Sequence, residues 1–298
     1  MFDLNRVKLG IAPIGWTNDD MHDLGGEITF EQCISEMALA GFAGTEIGNK
    51  YPKDPKVLKS YLEPRGLCIT NAWFSSFLTT KPYEETEREF IAFCDFLHEM
   101  GAKVIGLSEQ GRSIQGQMNI PVFESKYIMN DKEWDTLTQD LNKLGALAQE
   151  RDMYLAFHHH TGTVVQTAEE TDRLMKNTDP ALVHLLYDSG HFAYCAEDPV
   201  AELKRHIGRV RHVHLKDIRP DVLKRVRDEK LSFMQSVRMG AFTVPGDGSI
   251  DFVPIFEALV ENGYSGWLIV EAEQDPVLAN PFIYAVKARE YIRAKAGI

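Results

Sequence analysis

Cysteine is scarce in this chain: Cys33, Cys68, Cys94 and Cys195 are its four thiols, far apart and without a CxxC pair. That spacing excludes a disulfide framework and a cysteine-built zinc knot, and it points to reduced, buried thiols. Basic charge is also short. Against 44 Asp and Glu there are 32 Lys and Arg, a formal charge of −12, so neither nucleic acid nor an anionic lipid surface is expected as a partner. No apolar run has membrane-spanning length, and residues 1–10 lack the basic and apolar regions of a signal peptide. A cytoplasmic protein is therefore expected. No GxGxxG opens the first helical segment, which removes the main reason to expect a dinucleotide-binding fold.

What is present is ordinary globular material, 44% hydrophobic and 26% charged over 298 residues, enough for a sizeable core. Eight β-type runs recur, at residues 7–11, 43–47, 67–71, 103–107, 153–157, 182–187, 210–215 and 267–270. Amphipathic helical patterns follow them at 29–40, 54–64, 84–100, 132–151, 167–176, 198–207, 251–262 and 279–295. Regular alternation of this kind predicts an α/β fold, one closed (β/α)8 TIM barrel over residues 1–298, rather than an open doubly wound sheet. Two connections are long, 108–131 and 217–250. Both follow strands, on the face where barrels of this type keep their active sites.

The fifth run ends in Phe157-His158-His159-His160. Side chains alternate along a strand, so His158 and His160 share the inward face and His159 is expected to turn toward the helix layer. The other inward strand ends are also polar: Glu46; Asn71 and Trp73; Glu109; Asp188 with His191 beyond it; His212, His214 and Lys216; Glu271 and Glu273. Each has an ordinary alternative. Asp188, before Ser189-Gly190, fits a turn cap, His214 fits a bonded barrel-interior histidine, and Glu271 fits an ion pair with Lys216. The conjunction of His, Asp, His and Glu at four successive strand ends suits one divalent ion such as Mn²⁺, Co²⁺, Fe²⁺ or Zn²⁺.

The runs Tyr187-Asp188-Ser189-Gly190-His191, Val213-His214-Leu215-Lys216-Asp217, Gly246-Asp247-Gly248-Ser249-Ile250-Asp251-Phe252 and Ile269-Val270-Glu271 resemble signatures of the xylose-isomerase-like barrel superfamily. Four further stretches, at residues 11–20, 45–52, 71–76 and 158–163, resemble its inositol-catabolic hydro-lyases. Those enzymes dehydrate a cyclic polyol ketone, 2-keto-myo-inositol (scyllo-inosose), to a trihydroxycyclohexane-1,2-dione. By position, the resemblance makes Asp188, His214 and Glu271 metal ligands. His158 stands where many relatives have Glu, and His160, one period further along, is the alternative fourth ligand. The resemblance also implies cobalt or manganese dependence and an association with glutathione, which nothing in the residues explains.

On that basis the ion is expected on His158, Asp188, His214 and Glu271, with His191 or Lys216 moving protons. Glu46, Glu109 and His160 are expected to bond ring hydroxyls, with Trp73 as an apolar wall. A sugar epimerase or isomerase on the same barrel is the alternative. Its two opposed carboxylate bases are mildly disfavoured by His158. An endonuclease is disfavoured by the acidic charge, and a non-catalytic sugar-binding protein by so many ionisable strand ends. Homo-oligomerisation stays open, since no heptad or other partner signal is present.

Overall fold

A computed structural model describes all 298 residues. Its strands are β1 Val7–Ile11, β2 Gly44–Thr45, β3 Cys68–Ile69, β4 Trp73–Ser76, β5 Val104–Glu109, β6 Tyr154–His158, β7 Val183–Asp188, β8 Val210–Leu215, β9 Asp217–Ile218, β10 Phe242–Thr243 and β11 Gly266–Val270. Nine of them form one parallel sheet in the order β3-β2-β1-β11-β8-β7-β6-β5-β4. Its two ends, β3 inside the predicted strand 67–71 and β4 just beyond it, are consecutive along the chain and separated only by residues 70–72, so the sheet closes on itself. The amides of Thr70 and Ile47 bond across the β2 side, to Thr45 and Asn71, and that of Gly106 bonds to Ala72 on the β5 side.

Asn71 causes the break. Its Oδ1 accepts from the Gly106 amide at 2.6 Å, sharing it with the Ala72 carbonyl, and its Nδ2 donates to Glu46 Oε1 at 3.1 Å, so a side chain competes with the ladder at the seam. Gly106 is required there: a Cβ would stand 2.7 Å from Asn71 Nδ2. The predicted second strand shortens to two residues at the same seam.

Helices form where the periodicity predicts them, and most begin on a capping side chain. Thr29, Asp54, Asn130, Thr167, Asp198 and Asn280 each accept from a first-turn amide, and Asn130 with Glu133 and Thr167 with Glu170 complete reciprocal capping boxes. The helices bury their apolar faces against the outside of the barrel in one cluster of 62 residues. Inside the barrel the apolar plug is small: Val104, Ala156 and Leu186. Polar interior side chains therefore lie above little hydrophobic floor.

The two long connections pack together beside the mouth. The second contains the antiparallel pair β9–β10 and the helices Pro220–Asp228 and Phe233–Arg238. Val122, from the first, bonds through its amide to Leu231 and joins Tyr194, Phe233, Phe242 and their neighbours in a second apolar cluster of 12 residues. No helix is long and apolar enough to cross a membrane.

Candidate metal centre and cavity

The strand ends converge on Asp188, the last residue of β7. Its Oδ1 accepts from the amides of Gly190 and His191 at 2.8 and 3.0 Å and so caps the helix Ser189–Tyr194. Oδ2 is left without a hydrogen bond. Around it stand His158 Nε2, His214 Nδ1 and Lys216 Nζ, each at 3.4 Å. Glu271 closes the group, with Oε2 against His214 Nδ1 and Oε1 2.8 Å from Lys216 Nζ. Asp188 thus caps a turn with one oxygen and offers the other to the site.

A second layer orients His214. Glu46 Oε1 accepts from His214 Nε2 and His212 Nε2, both at 3.0 Å, and from Asn71. A carboxylate only accepts, so His214 holds a proton on Nε2 and aims Nδ1 at Asp188 and Glu271, as metal-binding imidazoles are held in other sites. Burial works against charge on His214, but the Glu271 and Glu46 carboxylates outweigh it and raise its pKa well above the ordinary value. Burial likewise opposes the charge of Glu271, yet His214 and Lys216 bring it down to about 2. His158 has no such support: burial lowers it to about 4 and keeps it neutral, the ligand form.

The donor set fits a divalent ion. His158 Nε2, Asp188 Oδ2 and His214 Nδ1 are buried and have no hydrogen-bond partner, and ligand atoms of these three residues lie within 4.8 Å of one another. Orphaned polar atoms are costly to bury, and here three converge with the chemistry of one coordination shell.

Above them opens a cavity of ≈ 250 Å³ lined by Glu46, Trp73, Ser75, His160, His214, Glu271 and Glu273, with Asp19, Asp20 and Gln115 on the loop side. Trp73 stands at the lip, 36% exposed, with its ring edge-on to His158 and His160. His159 lies on the opposite side of its strand, stacked on Phe192 with centroids 3.8 Å apart.

Three expected contacts do not reach this cavity. Glu109 is fully buried beneath the following loop, its oxygens taken by Ser76 Oγ, the amides of Leu78, Thr79 and Gly111, and Thr79 Oγ1. It organises a loop and has no face for a substrate hydroxyl. Lys216 lies behind Glu271 and Glu273, with Nζ 3.1 Å from Glu273 Oε2 and 3.0 Å from His191 Nε2. Burial disfavours its charge, but Asp188, Glu271 and Glu273 raise its pKa, so without an ion it stands as an ammonium among carboxylates. His191 is fully buried as well. An ammonium only donates, so His191 Nε2 accepts from Lys216, while Nδ1 lies 3.0 Å from Thr161 Oγ1 and 3.4 Å from the Thr161 amide.

Asp19, Asp20, Ser75 and Gln115 were not expected at the site. Gln115 Nε2 donates to Asp20 Oδ2 at 2.8 Å, tying the loop after β1 to the loop after β5 across the mouth. Asp19, raised to about 6 by burial, adds a carboxyl that titrates near neutrality. The 17 residues between Ile11 and Thr29, with Asn18-Asp19-Asp20 among them, form a third long connection after a strand, and that length was the available signal.

The chain belongs to the xylose isomerase-like TIM barrel family, whose model matches residues 34–295. Within that family it groups with the inosose dehydratases. The one from Clostridium botulinum (strain Alaska E43 / Type E3) is 65% identical over 298 residues, covering 100% of both chains, and that from Geobacillus thermodenitrificans (strain NG80-2) is 63% identical over the same span, again 100% of both. Among solved structures, the IOLI protein with a bound zinc atom superposes with a TM-score of 0.71 at 16% identity, covering 97% of this chain and 98% of that one. At that identity the likeness concerns the fold.

Proposed function

We propose that this chain is a metal-dependent hydro-lyase that dehydrates 2-keto-myo-inositol to a trihydroxycyclohexane-1,2-dione in the cytoplasmic breakdown of inositol. The observation that carries the chemistry is the set of orphaned ligand atoms, His158 Nε2, Asp188 Oδ2 and His214 Nδ1, under a cavity of small-polyol size. The substrate reading rests on full-length identity of 59–65% to inosose dehydratases.

In this reading His158, Asp188, His214 and Glu271 hold a divalent ion, manganese or cobalt by preference. When bound, such an ion polarises the substrate carbonyl and so stabilises the enolate that forms when the α proton leaves. Glu273 is the base, a carboxylate on the cavity wall that receives the α proton. Lys216 and His191 act through it, the ammonium holding Glu273 and Glu271 in place. Glu46 Oε2 and His160 bond ring hydroxyls, and the Trp73 face covers the C–H side of the ring. Asp19 is placed to protonate the departing β hydroxyl, since burial raises its pKa to about 6 and so leaves a protonated fraction of roughly a tenth at pH 7, far more than an ordinary carboxyl keeps. Nothing in the cavity singles out glutathione, and this reading gives it no role.

The test is incubation with scyllo-inosose and Mn²⁺ or Co²⁺ while following the ultraviolet absorbance of the enolic dione. Turnover should vanish with EDTA and in Asp188→Ala. Full activity in the metal-free chain, or epimerised ketose with no absorbing product, would overturn the proposal.

A further inference from the structure

Buried ligand atoms without hydrogen bonds converge in a second place, on the outside of the barrel. Asp172 is on the helix Ala168–Asn177, and Glu202 and His206 are on the helix Pro199–His206. Glu202 and His206 are four residues apart, so they stack on one helical face, and they are only 4% and 8% exposed. Arg205 takes one oxygen from each carboxylate, with Nη1 2.5 Å from Asp172 Oδ2 and Nη2 3.5 Å from Glu202 Oε1. The other oxygens, Asp172 Oδ1 and Glu202 Oε2, have no hydrogen-bond partner, and neither has His206 Nε2. His206 Nε2 lies 2.8 Å from Asp172 Oδ1 without the alignment of a hydrogen bond, and ligand atoms of the three residues lie within 4.8 Å of one another.

An ion-pair network explains the two oxygens facing Arg205 and the short His206–Asp172 contact. It does not explain why Glu202 Oε2 is buried beside them with no partner, or why a ligand-type atom from each of the three residues gathers in one place. We propose that Asp172, Glu202 and His206 form a second divalent-ion site of the zinc type, with two carboxylates and one imidazole from the protein and water completing the shell. Burial lowers the pKa of His206 and so keeps the ring in its metal-binding form. The ion would clip the helix after β6 to the helix before β8, behind the strands that end in His158 and Asp188. Because the two helices meet only in the folded chain, binding there stabilises the native state.

Zn²⁺ binding is measured by equilibrium dialysis on the metal-stripped full chain and on Asp172→Asn, His206→Gln and Arg205→Gln. A parallel set in an Asp188→Asn background removes the main centre from the count. The Asp188→Asn chain should still bind one Zn²⁺. Asp172→Asn, a change at a partly exposed carboxylate, and His206→Gln should each weaken that ion by about tenfold or more. Arg205→Gln should tighten it, since it frees two oxygens and removes a competing positive charge. The proposal fails if the Asp188→Asn chain binds no Zn²⁺, if Asp172→Asn and His206→Gln bind it as tightly as their parent, or if Arg205→Gln weakens it.

Discussion

Replacing Lys216 by Met in the metal-free chain removes the one ammonium among three buried carboxylates. Nζ lies 2.8 Å from Glu271, 3.1 Å from Glu273 and 3.4 Å from Asp188, and the side chain is fully buried. The fall of Glu271 from 4.5 to about 2 corresponds, at ~1.4 kcal/mol per pH unit, to about 3 kcal/mol, shared by His214 and Lys216. Removing one partner of a buried ion pair costs about 3–5 kcal/mol in general. A loss of about 3 kcal/mol is therefore expected near pH 7.5. The pH dependence has a definite sign. A carboxylate with a depressed folded pKa contributes stability above 4.5 that is lost as pH falls toward about 2, and Lys216, raised above 10.5, contributes fully below that value and loses its contribution only at higher pH. In Lys216→Met the carboxylates can take up protons instead, so the difference from the parent should narrow toward pH 4. Added Mn²⁺ should recover part of the loss at pH 7.5 by restoring positive charge. Urea unfolding at both pH values, with EDTA or with Mn²⁺, measures all three effects. A difference below about 1 kcal/mol at pH 7.5, or one equally large at both pH values, would refute the reasoning.

Asp188→Asn keeps an Oδ1 for the two helix amides but removes a buried carboxylate facing Lys216 and His214, so it should cost on the order of 3 kcal/mol while Mn²⁺ binding and turnover are lost; Asp188→Ala should cost about 1 kcal/mol more through the lost cap, and unfolding curves beside metal titrations separate the two. His159→Phe, in the ring stacked on Phe192 with both nitrogens unbonded, should leave turnover within about twofold and stability unchanged or raised, whereas His158→Phe should abolish metal binding. Gly106→Ala should cost about 1–3 kcal/mol, because its Cβ would stand 2.7 Å from Asn71 Nδ2 and 3.1 Å from Leu186 Cδ1; a neutral result in urea unfolding would mean that the seam is not tightly packed. His184, buried and beside Arg211 and Arg209, is lowered from 6.5 to about 4, so it stays neutral in the folded chain while the unfolded chain binds the proton. Its contribution is complete above 6.5 and falls as pH drops, by about 2 kcal/mol at pH 5. His184→Phe, which keeps the edge-on contact with Tyr154, should flatten the stability profile between pH 7 and 5 by that amount.

Much of the barrel was legible because its signals are local. Apolar alternation, a capping side chain and a glycine each act within a few residues, and the predicted helices begin on Thr29, Asp54, Asn130, Thr167, Asp198 and Asn280 or within two residues of them. The break in the third strand was not legible. It depends on Asn71 reaching Gly106 and Glu46, 35 and 25 residues away, and an asparagine in a polar strand end looks the same whether its amide faces solvent or competes for a ladder donor.

The candidate site divides along the same line. Strand parity separates His158 and His160 from His159 without any knowledge of neighbouring strands, since alternation is a property of one strand. Parity still needs the right register. The predicted strand 103–107 puts Glu109 on the inward face with Glu46, but Val104 is the interior residue and Gly106 and Ser108 pair with the cavity-lining Trp73 and Ser75. Glu109 therefore faces outward with Ile105 and Leu107, enclosed by five donors from its own loop region, while Glu46 has three donors on one oxygen and borders the cavity. Depth along the mouth is a further matter. Lys216 lies only two residues beyond His214, but β8 ends at Leu215, and the chain there carries the ammonium behind Glu271 and Glu273. A residue's face therefore follows from its own strand once the register of that strand is fixed, whereas its reach into the cavity depends on how far each neighbouring strand and loop extends past it.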